Sequence, residues 1–273
     1  MQIKVRPIQA SQKKEATEVL VRAFFTEPSK IFFYPDESTR ERKLRWMLTL
    51  MTEICFPFGH IYACIEKNRI KGVSIWLPPG INLDYSRFLR VDFLMAPFKV
   101  SLGSVKRALK ALSIVSDAHH SIMGDHQNWF LFFIGVDPDS QGRGYGSALM
   151  RPVLEQADAE GMPCYLEAWS SKNVYFYRKH GFEVVLERKV DEDSPVVQCM
   201  LREPKEHAPS SGQDGMHWLG RAMKKGVDYS SIPRFLAASS ILFLTSSDRT
   251  PGLPTCIAIH CFFANSSTLL ARW

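Results

Sequence analysis

A glycine-rich segment, Gln141-Gly-Arg-Gly-Tyr-Gly-Ser147, is the part of the sequence with the clearest chemistry. The apolar run from Trp129 to Val136 precedes it and predicts a buried strand, and the residues from Ser147 onward have the pattern of a helix. A strand, a glycine turn and a helix N-terminus direct several backbone N–H groups and the positive end of a helix dipole at one point. The segment therefore predicts a binding site for a pyrophosphate, which glycines allow the backbone to approach closely.

Two common phosphate-binding loops do not match this segment. The dinucleotide fingerprint G-x-G-x-x-G would require a third glycine after Gly142 and Gly144, at the position where Ser147 stands. The P-loop ends in Gly-Lys-Ser or Gly-Lys-Thr, and the segment lacks that ending. What remains is the pattern Q-x-x-G-x-G, formed by Gln141, Gly144 and Gly146.

A second motif follows about thirty residues later, at Asn173-Val-Tyr-Phe-Tyr-Arg-Lys-His-Gly-Phe182. The two motifs in this order resemble the acetyl-CoA loop and the N…FY…GF helix-to-strand signature of the GNAT superfamily of N-acetyltransferases. The similarity covers roughly residues 3 to 204 and is most specific from 128 to 186, where the sequence resembles the puromycin N-acetyltransferase branch. That branch implies a small-molecule amine as the acceptor without identifying it.

The resemblance implies an α/β (α+β) fold, the GNAT fold, in which a mixed and mostly antiparallel sheet of about six to seven strands is flanked by helices. The apolar periodicity of this sequence predicts strands at 3–8, 60–66, 71–77, 129–136, 163–169, 182–190 and 195–201. It predicts helices from the expected N-cap Ser11 to Phe24 and at 39–56, 86–95, 100–116, 146–160 and 171–180. Pro28 and Pro35 predict a loop between the first two helices.

The resemblance places acetyl-CoA on the glycine-rich loop and on the strand before it. Loop N–H groups would bind the pyrophosphate, with Gln141 or Arg143 nearby, although the arginine is also explained as a surface charge. In the superfamily the preceding strand separates from its neighbour and pairs with the pantetheine arm, and Asn173 would bond that arm or cap its helix. The expected cofactor-binding residues are Ile134, Gly135, Val136, Gln141, Gly142, Arg143, Gly144, Tyr145, Gly146, Ser147 and Asn173.

Tyr177 is the candidate general acid, because a tyrosine at this place in GNAT enzymes lies near the thioester sulfur. A phenol is protonated at neutral pH and can donate to a departing thiolate. The alternative is a ring packed in the core. The commonest pattern has asparagine six residues before the tyrosine, where Ser171 stands here; Asn173 has the closer spacing of the puromycin branch.

Glu167 is the candidate general base. Side chains alternate along a strand, so Tyr165, Glu167 and Trp169 share one face. A carboxylate between two aromatic residues is poorly solvated, which raises its pKa. The alternatives are a structural carboxylate at this position and a base drawn from His119, His120 and His126, which are also explained as loop or surface residues.

Composition limits the partners and the location of the protein. The net charge of +6 suits a polyanionic donor, and the basic run at 40–45 is explained as a solvated helix face, so no nucleic acid is expected. The sequence has no run of about twenty apolar residues, so no membrane span is expected. The six cysteines lack metal-binding spacing and are expected to be reduced thiols of a cytoplasmic protein without a metal.

The sequence divides into two parts. Residues 1–204 are expected to form the acetyltransferase domain, beginning with a strand and not with a signal peptide. After a linker at 209–215, the rest of the extension at 205–273 has no known role. It is expected to be an appended element of low order or the product of altered splicing or reading frame.

The expected function is direct transfer of acetyl from acetyl-CoA to a primary amine of a small molecule. The alternatives are a peptide or protein N-acetyltransferase and a non-catalytic module that binds acetyl-CoA. A closed aromatic pocket from Phe32, Phe33, Trp46 and Phe93 would favour the small molecule, and an open acidic groove would favour a peptide. The insertion at 81–127 either shapes this pocket or covers the sheet; the sequence does not predict the oligomeric state.

Overall fold

The computed structural model describes residues 3–81 and 95–205 of the 273-residue chain. The predicted helix at 86–95 lies outside these ranges except for its last residue, and so does Phe93. The predicted extension lies outside them as well, apart from Lys205. The boundary at residue 204 therefore stays a prediction.

Strands and helices follow one another in the order that the periodicity predicts, with two short helices added at Pro28–Phe33 and Ala96–Val100. The strands are β1 (Lys4–Pro7), β2 (Ile61–Glu66), β3 (Arg69–Leu77), β4 (Trp129–Val136), β5 (Cys164–Ala168), β6 (Glu183–Arg188) and β7 (Val197–Arg202). The helices are α1 (Lys13–Phe24), α2 (Pro28–Phe33), α3 (Glu37–Cys55), α4 (Ala96–Val100), α5 (Leu102–Met123), α6 (Tyr145–Glu160) and α7 (Ser171–Arg178). None of the described helices is both long and apolar enough to cross a bilayer.

The strands form one seven-stranded sheet in the order β1-β2-β3-β4-β5-β7-β6. Every neighbouring pair is antiparallel except β4 and β5, which run parallel. The predicted mixed, mostly antiparallel sheet flanked by helices is confirmed. The parallel pair is central, and the chain connects its strands through α6, as a parallel crossover requires.

Helices cover the sheet on both faces, with a separate apolar cluster on each side. On one face, α1 and α3 pack against β2 and β3 through residues such as Leu20, Leu48 and Val73. On the other face, α6 packs against β4 and β5 through residues such as Val153 and Leu166. Packed helical layers therefore lie on both faces of the sheet that contains β4 and β5, and they fix the backbone of this parallel pair.

Two predictions near the first helices are wrong. The segment between α1 and α3 contains α2, where only a loop was expected: Glu27 accepts a hydrogen bond from the Ser29 N–H at 2.9 Å, and Pro28 occupies the first helical turn. Proline is well suited to that position because its missing N–H has no helical partner there. Ser11 does not cap α1; it lies inside a 3-10 turn whose capping contact joins Gln9 and Gln12.

Gly135 in β4 is required by the packing of α1. A Cβ at this residue would lie 2.8 Å from the Ala23 Cβ and 3.0 Å from the Leu20 Cδ2. The sequence analysis lists Gly135 among the expected cofactor-binding residues, and its side-chain position faces α1. Helix α1 can therefore lie flat on the strand whose backbone borders the site described below.

We predict that Gly135→Ala lowers the free energy of unfolding by about 1–3 kcal/mol, because overpacking must move α1 or β4. The matched control is Gly103→Ala, at an exposed position of α5 where the nearest atom to a new Cβ is Arg107 Nη1, 3.9 Å away. Urea denaturation measures both variants. Equal stability of Gly135→Ala and the wild type would show that α1 does not press on this strand.

Candidate active site

A cleft opens where β4 and β5 separate. The two strands pair at three positions, from Trp129 opposite Cys164 to Leu131 opposite Leu166, and no further. At the same point the pairing of β4 with β3 shifts register, so that Phe132 forms a bulge. A bulge bends a strand. Beyond this bulge, the edge of β4 on the side of β5 borders a cleft of about 810 Å³.

The glycine-rich loop forms one end of this cleft. Gly142 and Gly144 have φ angles of 77° and 82°, which side chains other than glycine rarely adopt, and Gly144 is the N-cap of α6. The first helical hydrogen bond runs from the Ala148 N–H to the Gly144 carbonyl at 3.0 Å. Among the described residues, the N–H groups from Gly142 to Ser147 have no acceptor. They form the cradle for an anion that the sequence predicts.

The loop residues contribute to this cradle in different ways. Gln141, Gly142, Gly144, Tyr145, Gly146 and Ser147 line the cleft. The Tyr145 side chain instead packs beside Cys64 and Leu149, so this residue offers the cleft its backbone. Arg143 is exposed and is not among the lining residues. The cationic side chains at the cleft are those of Lys30, Lys172 and Lys179, which the sequence analysis did not single out.

Helix α7 closes the side of the cleft opposite β4. Its N-cap is Ser170, which accepts from the Asn173 N–H at 3.3 Å, so Asn173 is not the cap and its side chain borders the cleft. A Cβ on Gly146 would lie 3.1 Å from the Phe176 Cζ, which shows how closely α7 approaches the loop. Tyr177 is 7% exposed and lines the cleft, and burial raises the pKa of its phenol, which therefore stays protonated at neutral pH.

Glu167 lies on β5 at the open side of the separated strands. Its carboxylate accepts a hydrogen bond from the Tyr165 hydroxyl at 3.3 Å, which confirms that the two side chains share a face. Burial raises the pKa of Glu167 to about 7, against an ordinary 4.5, although the Tyr165 hydroxyl and the Lys30 charge act in the opposite direction. A carboxyl group with this pKa can exchange protons near neutrality.

Lys30 is a charged residue of the cleft that sequence reasoning missed. Its ammonium lies 5.4 Å, 5.5 Å and 5.6 Å from the ring centroids of Phe24, Phe33 and Phe133. Burial lowers the pKa of Lys30, and the charges of Glu27 and Glu167 act in the opposite direction. The sequence feature that could have indicated this position of Lys30 is Glu27-Pro28, which begins the short helix α2 and turns Lys30 toward β4.

The other candidate residues differ in whether they reach the cleft. His119 packs against Phe130 and Tyr165 with its Nε2 3.1 Å from the Asn128 Oδ1, while His120 and His126 are exposed. None of these three lines the cleft. Of the expected aromatic pocket, Phe33 borders the cleft, whereas Phe32 and Trp46 do not. The other rings along the cleft are those of Phe24, Phe130, Phe132, Phe133, Trp169, Phe176 and Tyr177.

None of the described cysteines lines the cleft. Cys55, Cys64, Cys164 and Cys199 are buried free thiols, and burial raises the pKa of each of them. No group of three or more histidine, cysteine or acidic side chains in residues 3–81 and 95–205 has a metal-binding arrangement.

Comparison with known proteins agrees with this geometry. The acetyltransferase (GNAT) family profile matches residues 111–182. An uncharacterised N-acetyltransferase of Schizosaccharomyces pombe is 30% identical over 207 residues, which cover 72% of this chain and 82% of the yeast protein. The chain belongs to the GNAT acetyltransferase family. As a GNAT protein it is an acyltransferase, and the family generally uses acetyl-CoA as its donor.

Solved GNAT structures share the fold at low sequence identity. A Corynebacterium glutamicum protein described as histone acetyltransferase HPA2 and related acetyltransferase superposes with a TM-score of 0.52 and 21% identity, over 77% of this chain and 100% of that chain. A Drosophila melanogaster polyamine N-acetyltransferase, which forms N-acetylagmatine, superposes with a TM-score of 0.51 and 18% identity, over 74% of this chain and 100% of that chain. At these identities the likeness establishes the fold alone.

We predict that Glu167→Gln gains stability relative to the wild type as the pH rises. Between about pH 4.5 and 7 the folded protein keeps a proton on Glu167 that the unfolded chain has lost, so the wild type loses stability across that window and the variant does not. The difference should grow by about 2 kcal/mol between about pH 5 and 8. Urea denaturation at several pH values measures it.

The matched control is Glu183→Gln, which removes an exposed carboxylate from β6. This variant should keep the pH profile of the wild type. A constant difference between Glu167→Gln and the wild type at all pH values would show that Glu167 titrates as an ordinary carboxylate.

Proposed function

We propose that this protein transfers acetyl directly from acetyl-CoA to the primary amine of a small molecule. The observation that carries the proposal is the continuity of one cleft, which runs from the unpaired N–H groups at the start of α6, along the open edge of β4, to Tyr177 and Glu167. An anion cradle, a free strand edge, a buried phenol and a carboxyl group with a pKa of about 7 thus border the same space.

The residues at the cradle suit the donor. The N–H groups from Gly142 to Ser147 would hold the pyrophosphate, and Lys172 and Lys179 add positive charge beside it. The backbone of Ile134, Gly135 and Val136 would pair with an amide-containing arm, except that the Val136 carbonyl already accepts from Gln141 Nε2 at 3.3 Å. Gln141 therefore supports the loop from within, and Asn173 faces the cleft from α7. When bound, acetyl-CoA supplies an activated acetyl group and a thiolate leaving group.

Two residues would move the protons. Glu167 Oε would take a proton from the acceptor amine, since half of its population is ionised near its pKa of about 7. Tyr177 Oη would give a proton to the departing sulfur, because the raised pKa of its buried phenol keeps the proton in place until a strong base forms beside it. Together these transfers leave the amine neutral when it attacks and the thiol neutral when it departs.

The lining of the cleft favours a small acceptor over a peptide. Eight aromatic side chains, that of Tyr177 included, border it, and the carboxylates among its lining residues are those of Glu27 and Glu167. Glu27 is already bonded to the N–H and the hydroxyl of Ser29. An aromatic pocket with two carboxyl groups suits an apolar amine, as in the puromycin N-acetyltransferase branch that the sequence resembles, whereas a peptide groove would present a row of acidic and backbone-binding groups.

The test measures acetyl-CoA consumption by the full chain with a panel of aminonucleosides, arylalkylamines, polyamines and peptides. We expect turnover with one or more of the small amines and none above background with peptides. Turnover with peptides alone would replace the proposed acceptor class, and acetyl-CoA binding without turnover of any amine would favour a binding module.

We predict that Gly144→Val weakens acetyl-CoA binding at least tenfold while the protein stays folded. Valine at a φ of 82° forces the backbone to change and turns the N–H groups of the cradle away from one another. Gly161→Val is the matched control, because Gly161 ends the same helix with a φ of 63° and lies outside the cleft lining. Calorimetry should find normal affinity in Gly161→Val; equal losses in both variants would point to helix strain and not to the cradle.

We predict that Tyr177→Phe slows turnover roughly ten- to a thousandfold with little change in acetyl-CoA affinity. Phenylalanine keeps the ring packed against Phe176 and Phe182 and removes the proton donor. No hydrogen bond to the Tyr177 hydroxyl occurs in the described ranges, so the melting temperature should not fall. Tyr175→Phe on the same helix, where the ring is 65% exposed, is the control and should keep full activity. Full activity in Tyr177→Phe would exclude this residue as the acid.

A further inference from the structure

A primary amine of the chain itself lies in the part of the cleft where the acceptor would react. The Lys30 ammonium is surrounded by Phe24 at the end of α1, Phe33 of α2 and Phe133 of β4, with the three ring centroids 5.4–5.6 Å away. Such rings attract a cation but accept no ordinary hydrogen bond from it. Within residues 3–81 and 95–205 the Lys30 side chain has no hydrogen-bond acceptor, so its N–H donors are free.

Lys30 shares the cleft with the groups that would perform the transfer. Phe133 directly follows the bulge at which β4 leaves β5, and Lys30, Glu167 and Tyr177 all line the same cleft. Glu167 is near enough for its charge to act on Lys30 and for the Lys30 charge to act on Glu167. The nearby Glu27 carboxylate accepts the Ser29 N–H and hydroxyl hydrogen bonds through its Oε2. Glu167, with a pKa of about 7, is the carboxyl group suited to take a proton from Lys30 and release it again near neutral pH.

Burial also favours the reactive form of this amine. Removal from water disfavours the ammonium and lowers the pKa of Lys30, so a larger fraction is neutral and nucleophilic than for a lysine on the surface. Lys179 offers a comparison within the same cleft lining. Its ammonium also contacts a ring, at 4.3 Å from the Tyr175 centroid, but its side chain is exposed.

We propose that Lys30 is an acetyl acceptor of the enzyme itself, modified within its own chain when no free amine fills the cleft. The inference rests on the proposed function. The neutral Lys30 Nζ attacks the carbonyl carbon of the acetyl thioester, a C–N bond forms and the C–S bond breaks. Glu167 takes the proton that the nitrogen loses, and Tyr177 gives a proton to the sulfur. The products are Nε-acetyl-Lys30 and free coenzyme A.

The reaction limits itself to one acetyl group per chain. Acetylation replaces an ammonium with a neutral amide, which removes the cation from the three rings and leaves the added group in the acceptor end of the cleft. A free amine that enters the same space excludes Lys30 from the donor. Accordingly, self-acetylation and turnover of a free amine should compete.

The experiment incubates the purified full chain with acetyl-CoA and follows the modification by intact mass and peptide mapping. We expect one acetyl group on Lys30, added at a rate per molecule that does not change with protein concentration, and Lys179 modified at least tenfold more slowly. Lys30→Arg should remove the modification, Tyr177→Phe should slow it at least tenfold, and Tyr175→Phe should leave it unchanged. Equal rates at Lys30 and Lys179, or an unchanged rate in Tyr177→Phe, would indicate uncatalysed chemistry and overturn the proposal.

A second measurement needs no donor. Competitive labelling with acetic anhydride across pH reports the pKa of Lys30, which should lie below the ordinary lysine value of 10.5; an ordinary value would overturn the proposal, because Lys30 would then lack the neutral amine. The outcomes also separate the two proposals. Turnover of free amines with Lys30 unmodified overturns self-acetylation alone, and acetylation of Lys30 without turnover of any free amine supports it while removing the proposed function.

Discussion

The separation of β4 from β5 is the constraint on which the rest of this structure depends. A strand inside a protein must satisfy its backbone N–H and C=O groups, and β4 beyond Leu131 has lost its partner on one edge. The loss of pairing affects one edge of β4 only, because the strand stays paired with β3 along its other edge on both sides of the bulge at Phe132. The protein therefore keeps a rigid strand with one free edge, which a sheet with complete pairing could not offer to a ligand.

Glycine allows the surrounding helices to approach this opening from three directions. Gly135 admits α1 against β4, Gly146 admits Phe176 of α7 against the start of α6, and Gly144 gives α6 the left-handed residue that begins it. Two of these glycines therefore serve packing between elements, and the third orients the N–H groups of the loop. The glycines of the Q-x-x-G-x-G motif, from which the sequence predicts ligand binding, therefore serve the packing of the cleft as well as the expected contact with a donor.

Sequence reasoning found the features that local patterns encode and missed those that depend on tertiary contacts. Strand alternation placed Glu167 beside Tyr165, and the loop motif placed Gly142 and Gly144 at the cleft. Helix α2 was missed because six residues are too few to show helical periodicity, and Lys30 was missed with it. Arg143 is next to the cradle along the chain but does not border the cleft. The cations that do border it are Lys30 of α2, Lys172 of α7 and Lys179, the residue after α7. No local pattern in the sequence indicates that these three lysines converge.

The electrostatics of the cleft follow from the same separation of strands. Burial raises the pKa of Glu167 and lowers the pKa of Lys30, so each group is driven toward its neutral form by loss of water while its charge draws the other toward ionisation. Because these effects oppose one another, the protonation of each group depends on a balance between burial and the charge of the other. Acetyl transfer to nitrogen needs this balance, since the acceptor must be neutral to attack and a base must be ionised to receive its proton. In water the carboxylate and the ammonium would both be charged, and the amine could not attack. In the proposed reaction, burial in a cleft lined with aromatic rings would allow Glu167 to prepare an amine for reaction.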